Sequence, residues 1–168
     1  MPHFSLAHLA DHELVRDLSR VLTQHRASTA ALLAHLAEFD ARRLYAPAGY
    51  PSMFQYCVQH LHFSEDAAYR RIQVARVARQ YPDVFAALES GRLHLSAVLL
   101  LAPHLTATLT PELLAAAAHR SKEQIALLLA ERFPRPDLPT QVRALPSRAA
   151  TPEQVAPPAA SPRSIPME

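Results

Sequence analysis

Ten histidines, a single cysteine and fifteen carboxylates are the side chains in these 168 residues that could hold a metal ion or move a proton. Their spacing argues against both. His12-Glu13 opens like the H-E-x-x-H signature of a zinc hydrolase, yet Arg16 stands where the second histidine must fall one helical turn later. His60 and His62 are two residues apart, so on a helix their side chains splay, and His94, His104 and His119 lie in separate segments. Three or four donors have to converge for a tetrahedral site, and no motif here brings them together. The serines stand mostly where helices begin, and no Gly-x-Ser-x-Gly elbow is present to expose one as a nucleophile. Cys57, alone, excludes an internal disulfide and a thiolate cluster. The expectation is a chain with no catalytic residues, no metal site and no cofactor.

Recognition chemistry is better represented. A helix capped by Ser64 and running to about Tyr81 carries Asp66, Tyr69, Arg70, Gln73, Arg76 and Gln80 along one stripe at 100° per residue. Ala68, Ile72, Ala75 and Ala78 fall on the opposite side, and Arg71 and Arg79 point toward the apolar flank. Arginine can grip a guanine edge or a phosphate with two parallel hydrogen bonds, and glutamine can do the same for adenine. Tyr69, Arg70, Gln73, Arg76 and Gln80 are therefore the candidate DNA contacts. A solvated outer face with no partner accounts for the same residues.

The elements around that helix follow from caps and breakers. Two glycines, no asparagine and abundant Ala and Leu leave little of the chemistry of tight hairpins, so the fold is expected to be all-α. With Asp11 as its cap, a first long helix should run from about His12 to Tyr45, stopping before Pro47 and Gly49. Val15, Leu18, Leu22, Leu32, Leu36 and Phe39 recur on it at heptad spacing, with His25 and Thr29 filling the same series. Packing within one chain and pairing of two chains both fit that seam. Ser52 caps a short helix through His62, giving with the Ser64 helix the order of a helix-turn-helix. A short helix from Pro82 stops at Gly91, and another starts at Ser96 and ends near Pro103. Thr110-Pro111-Glu112 and Ser121-Lys122-Glu123-Gln124 open two more that end by about Phe133.

Residues 1–133 thus read as one helical domain, orthogonal in its packing, with a long N-terminal helix and a helix-turn-helix-like centre. In residues 134–168 nine of 35 are proline and apolar periodicity ceases, so this part is expected to be a disordered linker or tail. Net charge is +2 and the pI about 9.0, too mild for a non-specific nucleic-acid coat. No apolar run is long enough for a signal peptide or membrane span, and with one cysteine this points to the cytoplasm.

Several segments, taken in order, resemble a known family. RRLYAPAGYPSMF from Arg42 to Phe54, SEDAAYRRI from Ser64 to Ile72, GRLHLSAVLLLAPHL from Gly91 to Leu105 and HRSKEQIALLLAERFPRPD from His119 to Asp137 are similar to the N-terminal helical half of bacterial HNH endonuclease-like proteins. The resemblance implies that a Pro/Ala-rich linker leads on to an HNH module, which binds a divalent metal and cuts DNA. That module is missing from this sequence, and the asparagine that usually orients its histidine base occurs nowhere in it. No catalytic residue carries over, and the chain resembles a truncated member or a stand-alone accessory domain. Ser64 to Leu105 is also similar, more loosely, to the helix-turn-helix region of ParB-type partition proteins, through Pro82 and Gly91-Arg92-Leu93-His94-Leu95-Ser96. Both likenesses imply DNA as the partner. The alternative reading is an interaction module whose first helix pairs two chains without nucleic acid.

Overall fold

Residues 5–134 are described by a computed structural model, and among them every regular element is helical. Helix α1 (Asp11–Ala41) starts one residue earlier than the cap chemistry predicts. Ala10 occupies the cap, and Asp11 sits in the first turn with Glu13, where carboxylates face the positive end of the helix dipole. Glu13 also reaches back, its Oε2 accepting from the Ala10 N–H at 3.2 Å.

The end of α1 comes four residues before Tyr45, and neither Pro47 nor Gly49 causes it. Arg43 turns left-handed (φ 53°), so that the Leu44 N–H donates to the Phe39 carbonyl at 3.1 Å and the Arg43 N–H to that of Asp40 at 3.0 Å. This is a Schellman stop built on arginine where glycine is usual. Residues 42–49 follow as turns.

Ser52 caps as expected, accepting from the Gln55 N–H at 3.1 Å, but α2 (Met53–Gln55) at once widens into a π turn (Tyr56–His60) instead of continuing as α-helix to His62. The widened turn swings Tyr56 between Phe39 and His60, with ring centroids 4.6 and 4.7 Å away, and Tyr50 meets it edge-on at 5.2 Å. His62 closes the segment at φ 56°. Ser64 then caps α3 (Glu65–Gln80), its Oγ accepting from the Ala67 N–H at 3.3 Å.

Four further helices complete the fold: α4 (Asp83–Glu89), α5 (Leu95–Leu101), α6 (Thr110–Ala117) and α7 (Lys122–Arg132). Gly91 ends α4 as expected (φ 72°). Two starts differ from expectation. His94, not Ser96, caps α5, because its imidazole Nδ1 accepts from the Ala97 N–H at 3.1 Å. Thr110 is already inside α6 and buried, its hydroxyl donating to the Thr106 carbonyl at 2.6 Å. Ser121 and Gln124 form the expected capping box of α7, with reciprocal bonds of 3.3 and 2.9 Å.

Helix α3 is the hub: α1, α2, α4 and α5 all pack on it, α5 bears on α7, and α4 on α6. Ala68, Val74, Ala75 and Ala78 of α3 are essentially inaccessible, and their small size lets the neighbouring helices close in on Leu33, Val84, Val98 and Leu101. The heptad seam of α1 splits in two. Leu36 is buried, and Leu32 and Phe39 pack partly against the same core, whereas Val15, Leu18 and Leu22 stand 65, 67 and 44% exposed. Only Ala30, Leu33, Leu36 and Ala37 of α1 are buried, so its first half projects beyond the body of the domain. The proline-rich segment from residue 135 onward lies outside the described residues.

Candidate nucleic-acid interface

With the short α2 and its π turn before it and the core behind it, α3 presents one face to solvent. Its outward stripe contains Tyr69, Arg70, Arg76 and Gln80, all exposed, and Gln73, half-buried. The buried residues Ala68, Ile72, Val74, Ala75 and Ala78 take up the remaining faces, so the stripe is narrow.

Its arginines are already engaged. Arg70 pairs with Asp66 one turn earlier on the same helix. Arg76 donates from Nε to Asp40 Oδ2 at 2.7 Å, and its second nitrogen lies 3.4 Å from Oδ1, a two-pronged grip on α1. This hydrogen-bonded pairing holds the Arg76 guanidinium above its ordinary pKa against the cost of partial burial. Arg79 bonds Glu38 on α1 at 2.5 Å. The Glu38 carboxyl is held below the ordinary carboxylate range by Arg42 first and Arg79 second. Arg71 lies 5.0 Å above the Phe63 ring and donates to the Ala67 carbonyl at 3.3 Å. Its Nε is buried without a hydrogen-bond partner among the described residues.

The candidate contacts therefore divide by role. Tyr69, Gln73 and Gln80 carry uncommitted polar groups or ring surface, apart from a 3.2 Å bond from the Gln80 amide to the Tyr81 hydroxyl. Among the described residues Arg70 is tied only to an exposed neighbour and can exchange it at little cost. Arg76 works mainly as a clasp between α3 and α1, because Asp40 is 14% exposed on its side chain and would be left half-buried and unpaired. Sequence reasoning could not see this clasp, since Asp40 and Arg76 are 36 positions apart.

The other candidate surface is the free half of α1. Leu14 and Val21, 40 and 57% exposed, widen the Val15, Leu18 and Leu22 stripe beyond the heptad positions read from the sequence. Leu32, Leu36 and Phe39, also assigned to a dimer seam, face this chain's own core. Cys57 is fully buried and its thiol is pushed up in pKa by burial, with Asp40 adding to the effect. Among the described residues no three His, Cys, Asp or Glu side chains stand close enough to hold a metal ion, and no helix is long and apolar enough to cross a membrane. Compared with known proteins, the chain matches no family model, no curated protein and no solved structure.

Proposed function

We propose that this chain is a DNA-positioning accessory domain of an HNH endonuclease-like protein, with no cutting centre of its own. One observation carries the reading: Tyr69, Arg70, Gln73 and Gln80 share the solvent face of a helix that four other helices lock from behind. Groups fixed on a rigid helix lose little entropy on engaging a groove, and glutamine and arginine match base edges and phosphates in two-point geometry. Arg76 supports this surface from the side by tying α3 to α1.

The test is fluorescence anisotropy of a labelled duplex with the full chain, comparing wild type with Arg70→Ala/Gln73→Ala. A loss of about tenfold or more is expected, in line with roughly 1–3 kcal/mol for a two-point base contact. Wild type that fails to bind at low salt, or a double variant that binds equally well, overturns the reading.

A second reading is favoured by the exposed apolar stripe of α1: two chains paired through Leu14, Val15, Leu18, Val21 and Leu22. It is compatible with the first, because helix-turn-helix readers commonly act as two-fold dimers.

A further inference from the structure

DNA binding needs a positive field, and the outward stripe of α3 supplies little of one. Arg70, Arg76 and Arg79 are each neutralised by Asp66, Asp40 or Glu38, and Glu65 adds a further negative charge at the start of the helix. Five described arginines have no carboxylate within salt-bridge distance among the described residues: Arg26, Arg43, Arg71, Arg92 and Arg120. Three of them, Arg26, Arg92 and Arg120, line a single cleft of about 630 Å³. His25, His94 and His119 line it too, over a floor that includes Leu88, Leu93 and Leu95, and among the described residues no acidic side chain does. The acids nearest in sequence are Glu89, exposed beside Leu88, and Glu123, which accepts from the Ser121 hydroxyl at 2.9 Å and interacts with the His94 side chain.

The cleft is assembled from three distant parts of the chain. The loop after α4 and the loop between α6 and α7 are tied by the His119 N–H, which donates to the Arg92 carbonyl at 2.8 Å while His119 adopts φ 57°. Arg26 reaches in from α1 and lays its guanidinium directly against Gly91, where any side chain would overlap it. Arg92 and Arg120 are exposed, and among the described residues the one hydrogen bond that engages a guanidinium of the two runs from Arg92 Nε to the Ser90 hydroxyl at 3.1 Å.

Resting on the DNA reading, we propose that this cleft is a phosphodiester-backbone site, gripping the duplex by its phosphates. Guanidinium forks match phosphate oxygens, and imidazoles add donors of the same kind. Phosphate contacts of this kind add affinity without sequence preference.

The experiment is a salt series of duplex anisotropy from about 50 to 200 mM with the full chain, since each neutralised phosphate adds about 0.9 to the slope of log K against log salt. Arg92→Ala/Arg120→Ala is compared with a charge-matched control, Arg16→Ala/Arg43→Ala, and with Arg70→Ala/Gln73→Ala; thermal melts monitor folding. The cleft variant is expected to bind about tenfold or more weakly with a slope shallower by about two, and the control to keep most of the wild-type slope. A cleft variant with the wild-type slope, or a control as impaired as the cleft variant, overturns the cleft site and leaves α3 standing. Poly-glutamate displacing the duplex as readily as an oligonucleotide of equal charge would reassign the cleft to acidic peptides and also overturn it. Absence of wild-type binding at the lowest salt removes both.

Discussion

Three residues without glycine's freedom, Arg43, His62 and His119, stand at positive φ, each just past the end of a helical segment. For an L residue the left-handed region costs roughly 1–2 kcal/mol, part of which glycine recovers and part of which it returns through a more flexible unfolded chain. His62 is exposed, so His62→Gly is expected to raise stability by about 0.5–1 kcal/mol in urea unfolding, and a neutral or negative change would show that the imidazole contributes contacts of its own. Gly91→Ala is expected to do the opposite, since Gly91 stands at φ 72°, where a Cβ is strained. Cys57, fully buried with a raised pKa, should react with a thiol reagent only as fast as the domain opens, and prompt labelling of native protein would contradict the packing. At this scale the sequence was readable where a residue type has one dominant use. Ser52, Ser64, Gly91 and the Ser121–Gln124 box announce themselves. Arg43 and His94 do not, because arginine rarely ends a helix and an imidazole nitrogen rarely starts one.

Between elements, the decisive join is α1 against α3. Its polar edge is formed by Asp40 with Arg76 and by Glu38 with Arg79 and Arg42. Glu38 is held below its ordinary pKa, so the folded chain binds a proton there less readily than the unfolded one. The stabilisation is then fully present above the ordinary carboxylate range and fades as pH falls through the lowered value. Urea midpoints for wild type and Glu38→Gln should differ near neutrality and converge at the acid end; curves that stay parallel would show that the pairing contributes nothing. The heptad pattern of α1 revealed a helix and its apolar stripe, yet not that the stripe serves two purposes. Nothing in the repeat distinguishes Leu36, which meets α1's own neighbours, from Leu18, which meets water. The same limit hid the cleft: Arg26, Arg92 and Arg120 belong to three segments, and only the packing of α1 beside the two loops makes them one surface.

For the molecule as a whole, the question raised by α1 is whether its first half exists as helix in a single chain. An isolated helix projecting from its domain has no tertiary packing to support it, and stretches of fewer than about 12–15 residues are marginal in water. Ala30 is the first buried residue of α1 and Leu22 the first to line the cleft, so residues 11–21 depend on local hydrogen bonds such as Ser19 Oγ to the Val15 carbonyl and on the weak Arg20–Asp17 pair. In a monomer those amides should exchange with solvent almost freely, while amides around Leu33, Val74 and Leu101 exchange only through global opening. Pairing through Leu14, Val15, Leu18, Val21 and Leu22 would bury the stripe and protect the same amides by mass action. Hydrogen exchange followed by mass spectrometry at protein concentrations spanning about two decades separates the cases, because protection of residues 11–21 must then rise with concentration while that of the core stays constant. Leu18→Asp/Leu22→Asp should abolish the rise without lowering core protection, as both side chains are exposed in the single chain. Slow exchange in this segment that is independent of concentration, or core protection lost in the double variant, would instead place the apolar stripe inside one chain and rule out the two-chain seam.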